Sequence, residues 1–275
     1  MKKTILAVAA LAVSLTGFSQ DLMSKKGEAI LPEAGDYALG FDAVPLFNAL
    51  KFNSAATIGA GYPNQYMGVM VKRFTDAKNA TRFGIRFGVG SDLTIEEVEK
   101  RTAGAVDGDN LVENRLTSKG FDATFSYGKE MRRGNTRVQG YWGYEGMLNL
   151  NARRTTIEYG NDFNDLPNTN PYVGGNPLYG NDDAVYLTQS RSGIGFGLGA
   201  RAFIGVEYFI APKISINAEY GFGAMLNTTP RGERDVTTVD GGVDTDETIE
   251  GTVRTSSFNL ATDITQGAVR MIFHF

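Results

Sequence analysis

The chain has 275 residues and a formal net charge of −4, the length of one large domain or two small ones. Its 34 glycines exceed the usual frequency, while 17 Phe, 12 Tyr and one Trp exclude a disordered linker protein and favour a packed, glycine-rich β architecture. The absence of cysteine excludes disulfides, zinc–cysteine sites, cysteine nucleophiles and a lipid-anchored N-terminus, and the single histidine argues against most histidine-based metal or triad sites.

The first 19 residues have the pattern of a secretory signal peptide. Two lysines precede an apolar run at residues 5–15, and Gly17 and Ser19 occupy the −3 and −1 positions of a cleavage site before Gln20. The apolar run is too short for a membrane-spanning helix, which needs about 20 residues. We therefore predict a signal peptide at residues 1–19, followed by a periplasmic N-terminal segment at residues 20–35.

Eight later segments alternate between apolar residues on one face and polar residues or glycine on the other. This period of two is typical of β-strands that have two different environments. Phe83, Ile85 and Phe87, for example, alternate with Arg82, a glycine and Arg86. The segments are 37–43, 65–74, 82–89, 121–128, 138–149, 194–208, 214–222 and 258–275. The facing of the second segment is ambiguous, because Met and Val occupy both its odd and its even positions.

The connections between these segments are alternately short and long. Short turns at 75–80, 132–136 and 211–213 follow the second, fourth and sixth segments, whereas loops at 92–119, 160–185 and 230–257 follow the third, fifth and seventh. Outer-membrane barrels have short periplasmic turns and long external loops, and an even strand number places both termini in the periplasm. The sequence thus predicts an all-β fold: an eight-stranded antiparallel up-and-down transmembrane β-barrel at residues 36–275, in the outer membrane of a Gram-negative bacterium.

The C-terminal segment carries a more specific pattern, with alternate apolar residues leading to a terminal aromatic: Val269, Met271, Phe273 and Phe275. It resembles the strand that the outer-membrane barrel assembly machinery reads. Together with the signal peptide and eight segments, the chain resembles the small outer-membrane β-barrel proteins of the OmpA/OmpX type, as the barrel alone without a periplasmic domain. The resemblance implies outer-membrane lipid, lipopolysaccharide and the assembly machinery as partners. It constrains function little, because the family includes adhesins, enzymes, small-solute channels and structural proteins.

The polar faces of the predicted strands bring charged residues into the lumen. An eight-stranded interior is just wide enough to be filled by side chains, and buried charges must be paired. We predict an arginine–carboxylate network that plugs the lumen, formed by Asp42, Arg82, Arg86, Asp122, Glu130, Glu145, Arg201, Glu207, Glu219 and Arg270. The alternative for these carboxylates is an acid/base or proton-conducting site, which their spacing does not select. Glycines at 193–199 are expected to leave room for large neighbours.

The three long loops carry 18 acidic and 7 basic residues. Such loops either keep the cell surface soluble or bind a cation or a cationic partner. The carboxylates of the last loop lack the spacing of an EF-hand, and no metal site is predicted from Asp240, Asp244, Asp246 and Glu247. The loop at 160–185 displays aromatic residues that form either a contact surface or a lid packed on neighbouring loops: Phe163, Tyr172 and Tyr179.

Two remaining motifs argue against an enzyme. Residues 193–200 contain G-x-G-x-x-A, but a dinucleotide site needs a helix to begin there, and the alternation continues to Tyr208. His274 lies at the periplasmic end, away from the external rim where barrel hydrolases place their histidine. We expect no cofactor, no nucleic-acid partner and a non-enzymatic structural or interaction protein, whose external loops contact envelope components or extracellular ligands. A small-solute or lipid channel, through the lumen or a lateral opening, is the alternative, and an enzyme comes third.

Overall fold

The computed structural model describes residues 22–24, 26–42, 67–102, 105–165, 184–240, 242–262 and 268–275, and these form an all-β antiparallel sheet. The strands are β1 (Tyr37–Asp42), β2 (Met67–Asp76), β3 (Asn79–Thr102), β4 (Ala105–Arg133), β5 (Val138–Glu158), β6 (Ala184–Arg191), β7 (Gly195–Ala211), β8 (Ile214–Thr229), β9 (Glu233–Asp240), β10 (Val243–Glu250), β11 (Thr255–Thr262) and β12 (Ala268–His274). A 3-10 helix spans Phe163–Asp165. Each of the eight predicted segments overlaps a strand of this sheet, and the last overlaps both β11 and β12.

Eight of the strands are paired in a closed cycle, which we call the ring. Antiparallel pairing passes from β1 through β2, β3, β4, β5, β7, β8 and β12. The strand β12 then returns to β1, where Leu39 lies opposite Phe273. Three more strands, β6, β9 and β10, form an outer extension that pairs with the ring through β5 and β6. The strand β11 pairs with β8 beyond β12.

Tight turns join the ring strands at one end, as the sequence predicts. The strands β2 and β3 are separated by residues 77–78, β4 and β5 by 134–137, and β7 and β8 by 212–213. Two of these turns use a left-handed backbone, with φ of 115° at Gly134 and 60° at Lys213. Lys213 also forms an ion pair with Asp36, just before β1. Although partial burial opposes ionisation, hydrogen bonds from Lys213 and the backbone N–H of Glu33 lower the pKa of Asp36.

The prediction of long loops at the opposite end is wrong for two of the three, while most of the third, at 160–185, lies outside the described residues. The predicted loop at 92–119 is instead part of β3 and β4, which pair in register nearly to the hairpin tip, with Val98 opposite Val112. The predicted loop at 230–257 contains β9, β10 and the start of β11. Most residues of β10 and of the ends of β3 and β4 are exposed on both faces, so these ladders need no apolar alternation, whereas β9 buries Val236 and Thr237. The Thr, Val and Ile content of all these segments favours strands.

The N-terminal predictions fall largely outside the described residues, since 1–21 are not described. Within the predicted periplasmic segment, Met23 forms an isolated bridge with Ala29, and Ile30 is 1% exposed. The backbone N–H of Gly35 donates to the carbonyl of Phe74. The segment before β1 is therefore held against the turn end of the ring.

The two faces of the ring have the reverse of the usual polarity. Large apolar side chains point outward and are exposed, by 50% at Phe87, 57% at Tyr144 and 64% at Ile204, whereas Lys72 and Glu130 point inward and are 0% exposed. The same pattern settles the facing of β2, because its even-numbered residues are buried: Met70, Lys72 and Phe74. A water-soluble barrel would instead bury the apolar face.

We expect the substitution Gly205→Ala to destabilise the ring. A Cβ at Gly205 would collide with the ring of Tyr141 and lie 2.7 Å from the carbonyl oxygen of Ala218. Overpacking of this kind costs about 1–3 kcal/mol of the free energy of unfolding, measurable by urea titration of the protein in micelles. Gly140→Ala is the matched control, since a Cβ there meets nothing within 4 Å. Equal stability of the two variants would show that Tyr141 does not occupy this space.

Candidate functional site

Charged side chains from all eight ring strands meet inside the ring in one network. At the turn end, Lys72 of β2 lies between two carboxylates: its Nζ is 2.8 Å from Glu130 Oε2 and 3.2 Å from Glu207 Oε2. Arg132 forms ion pairs with the same two carboxylates. The side chains of Lys72, Glu130 and Glu207 are 0% exposed and that of Arg132 is 1% exposed. Two buried cations therefore neutralise two buried carboxylates.

Ser215 and His274 complete this end of the network on Glu207. His274 Nε2 is 3.0 Å from Glu207 Oε1 and 3.1 Å from Ser215 Oγ, which also donates to Glu207 Oε1 at 2.6 Å. In a catalytic triad the serine and the acid contact opposite nitrogens of the imidazole. Here both contacts fall on Nε2, and both side chains are buried. The trio joins β7, β8 and β12 and lacks the relay geometry of a hydrolase.

The centre of the network is built on Glu219. Arg82 Nη1 is 2.7 Å from Glu219 Oε2, and Arg201 Nη1 is 2.9 Å from Glu219 Oε1 and 2.9 Å from Glu145 Oε1. Arg82 also lies 3.5 Å from Glu130, which connects the centre to the turn end. The chain of contacts is thus continuous from β2 to β8.

Aromatic rings and glycines make room for these long side chains. The guanidinium of Arg82 lies over the ring of Phe203 at 4.0 Å, a cation–π contact. Added Cβ atoms at Gly143 and Gly221 would collide with Phe203 and Arg201, respectively. The sequence predicts this role for the glycines at 193–199, but the closest approaches to large inward side chains occur at 143, 205 and 221.

The network becomes more exposed toward the end of the ring opposite the tight turns, which we call the hairpin end. Arg270 connects Glu219, at 3.5 Å, to Asp42, at 3.2 Å, and Arg86 lies 4.0 Å from Asp42. The side chain of Arg86 is 31% exposed, in contrast to 4% for Arg82. The stability of the ring therefore depends less on Arg86 than on the more deeply buried charges toward the turn end.

The structure brings nine of the ten predicted lumen residues together by ion pairs: Asp42, Arg82, Arg86, Glu130, Glu145, Arg201, Glu207, Glu219 and Arg270. The tenth, Asp122, accepts two hydrogen bonds from Asn149 Nδ2, at 3.0 and 3.1 Å. Sequence reasoning missed Lys72, Arg132 and His274 as members. Parity is the signal for two of them, since Arg132 shares a strand face with Glu130 and His274 shares one with Arg270, whereas the ambiguous facing of β2 gives no such signal for Lys72.

The network suits a structural role better than an acid/base role. Each of its carboxylates has an oxygen within ion-pair distance of a cation, so the charges are matched where water is excluded. Among the residues that the structure describes, no group of three His, Asp or Glu side chains could hold a metal ion. Residues 193–200 run into the strand β7 rather than into a helix, so the dinucleotide motif has no supporting structure.

Of the aromatic residues predicted as loop contacts, Phe163 packs against the outer extension and the other two lie outside the described residues. Phe163 stacks on Tyr186 of β6 at 5.3 Å and meets Tyr159 edge-on at 5.6 Å, so it packs against a strand. This favours the packing alternative for Phe163, while Tyr172 and Tyr179 lie outside the described residues, as does the side chain of Asp240. Asp235 of β9 is partly buried, which opposes ionisation, but hydrogen bonds from Thr248, Arg191 and Gln189 lower its pKa.

The predicted assembly residues share the outward face of β12. Phe273 and Phe275 are 39% and 67% exposed, while Val269 and Met271 are half-buried. Their neighbours Ile272 and His274 point inward and are buried. Phe275 exchanges two backbone hydrogen bonds with Tyr37 and stacks on its ring at 6.4 Å. The last residue thus helps join the two ends of the described ring.

Comparisons with known proteins found similarity among solved structures. No protein-family description and no curated protein sequence matches the chain. The chain is similar to a solved structure described as a major outer membrane protein from Thermus thermophilus, with 14% identity over 88% of this chain and 100% of that one, and a TM-score of 0.30. A similarity this low carries no argument about function. In the described residues, no helix has the length and apolar character needed to cross a membrane.

We expect Lys72→Met to destabilise the ring strongly. It leaves Glu130 and Glu207 buried with less compensating charge, and removal of one partner of a buried ion pair costs roughly 3–5 kcal/mol. Urea unfolding in micelles measures this, with Lys129→Met as the exposed control on β4, expected within about 0.5 kcal/mol of wild type. Adding Glu130→Gln to Lys72→Met should recover part of the loss. A neutral Lys72→Met variant would contradict the network.

Proposed function

We propose that the chain is an eight-stranded outer-membrane β-barrel with a plugged lumen, and that it acts as a structural or interaction protein through its external strands. The observation that carries this proposal is the closed ring with apolar residues outside and charges inside. In lipid every backbone N–H and C=O must be bonded within the protein, and only helices and closed barrels meet that requirement. The pairing of β1 with β12 supports closure.

The dimensions of the outer face support a membrane location. On β4 the outward residues between Lys119 and Lys129 are all apolar: Phe121, Ala123, Phe125 and Tyr127. Ten residues at about 3.4 Å each, tilted by roughly 45°, span about 25 Å, which is the height of the apolar band of outer-membrane barrels. A lysine at each limit places charge at the level of lipid headgroups.

The interior supports a structural role over a channel. Six cationic side chains and five carboxylates are linked across the ring from Arg132 at the turn end to Arg86 at the hairpin end. In an eight-stranded barrel such side chains fill the lumen. The proposal therefore assigns contact with envelope components or extracellular ligands to the external strands β6, β9 and β10 and to the ends of β3 and β4. It assigns no reaction and no cofactor.

The same proposal also assigns the assembly signal of the protein, the lipid that surrounds it and its orientation in the membrane. The outward face of β12 with Phe273 and Phe275 is the element offered to the barrel assembly machinery, and outer-membrane lipid and lipopolysaccharide surround the apolar belt. The signal peptide would be removed before Gln20. Because both termini would then lie in the periplasm, the acidic hairpins would face the outside of a Gram-negative cell.

We expect the folded protein to resist SDS until it is boiled. The closed backbone ladder is protected by lipid or detergent, so the unheated sample should migrate differently from the boiled sample on a gel. Phe275→Ala should lower the amount of this heat-modifiable form in outer-membrane fractions, with Val253→Ala, an exposed external residue, as the control. Identical mobility before and after heating would contradict the barrel.

We expect removal of the β9–β10 hairpin, residues 233–250 replaced by a short Gly-Ser turn, to abolish native envelope crosslinks while the gel shift on heating remains. In the described part of the chain, the hairpin pairs with the ring only through β6. Planar-bilayer recording of the intact protein should show no stable conductance of porin size. Unchanged crosslinks in the shortened protein, or a porin-sized conductance, would move the channel alternative ahead.

A further inference from the structure

A groove of about 600 Å³ lies where β5 changes its pairing partner. Up to Asn151, β5 pairs with β7, opposite Gly195, whereas from Arg154 onward it pairs with β6, opposite Arg191. The change of partner leaves a concave surface between the ring and the outer extension. Its lining includes Val89, Phe121, Ala152, Lys119, Arg154 and Arg191.

Six of the lining residues form two rows that share the outward face of the sheet, and Gly90, Gly120 and Arg153, which also line the groove, lie between these rows on the opposite face. In the first row Val89 lies opposite Phe121, which lies opposite Ala152. In the second row, one step toward the hairpin end, Lys119 lies opposite Arg154, and Arg154 lies opposite Arg191. An apolar row therefore borders a cationic row, at the end of the apolar belt.

The cationic row is short of acidic partners on the protein. Like charges directly opposite each other on neighbouring strands are destabilising. Arg191 is compensated by Asp235, at 3.0 Å, and by Glu233, at 3.4 Å, while Arg154 donates to the neutral side chain of Gln189. Among the described residues, no ion pair involves Lys119 or Arg154, and both are exposed. The row is thus complementary to an external anion.

We propose that this groove binds one bisphosphorylated glycolipid of the outer leaflet, the chemistry of the lipid A part of lipopolysaccharide; this inference rests on the proposed function. The three cations span two strand spacings, about 10 Å, which suits two phosphates on one headgroup better than a single phosphate. The acyl chains lie on Val89, Phe121 and Ala152. The groove faces lipid at the level where the apolar outer face of the ring ends. The phosphates of the headgroup therefore contact the cationic row while the acyl chains contact the apolar row.

The test measures lipid binding by native mass spectrometry of the refolded protein in micelles, titrated separately with bisphosphoryl lipid A, monophosphoryl lipid A and phosphatidylglycerol. The heat-dependent gel shift is recorded first on every sample. Wild type should bind one bisphosphoryl lipid A more tightly than either other lipid, and high salt should weaken the binding. If the gel shift is absent in wild type, the proposed barrel fails; if it is present and phosphatidylglycerol binds equally tightly, only the glycolipid site fails.

The variant Lys119→Gln/Arg154→Gln should lose about 25-fold in affinity for bisphosphoryl lipid A, since each surface cation contributes roughly fivefold. Lys129→Gln is the matched control, because it removes an outward lysine from the same strand at the other limit of the belt. Lys119→Gln alone should lose about fivefold and serves if the double variant does not fold. Wild-type affinity in either Lys119 variant, or an equal loss in Lys129→Gln, overturns the proposal.

Discussion

The pairing of β1 with β12 is the constraint on which the rest of the structure depends. Once the first and last strands are bonded, each strand of the described ring has a hydrogen-bonded neighbour on both sides, so the cycle of strands has no unpaired member. The side chains outside can then be apolar throughout, because no polar backbone group has to be hydrated there. Closure also fixes the width of the interior, which is why the inward side chains must be packed as a set.

Charge inside so narrow a space has to be balanced locally. The network begins with two carboxylates held by Lys72 and Arg132 and continues through Arg82, Glu219 and Arg270 to Asp42. Its exposure increases toward the hairpin end, from fully buried at Lys72 to partly open at Arg86. The turn end is therefore the more deeply buried end of the network. Removing one charge there disturbs several strands, because each carboxylate bridges two or more of them.

The sequence predicted the ring strands well because their two faces meet different environments. Alternation locates the strands and assigns the inward residues of seven of them, including Glu207 and Glu219. It failed for β2, where Met and Val occupy both faces, and the inward face is shown instead by the burial of Met70 and Phe74 and by the position of Lys72 between Glu130 and Glu207. It also failed for β10 of the outer extension, since both faces of this strand are exposed and no alternation is needed. Contacts such as Phe163 on Tyr186 depend on tertiary packing that no local pattern encodes.

Within the residues that the structure describes, the outer extension pairs with the ring at few positions. The strand β6 pairs with β5 over Arg154, Thr155 and Thr156 only, whereas β7 pairs with β5 over fourteen positions from Val138 to Asn151. Changes in β9 and β10 therefore act on few ring contacts. The groove arises at this same junction, because a strand that changes partner cannot keep a flat surface there. The outer extension and the groove thus both follow from one change of pairing in β5.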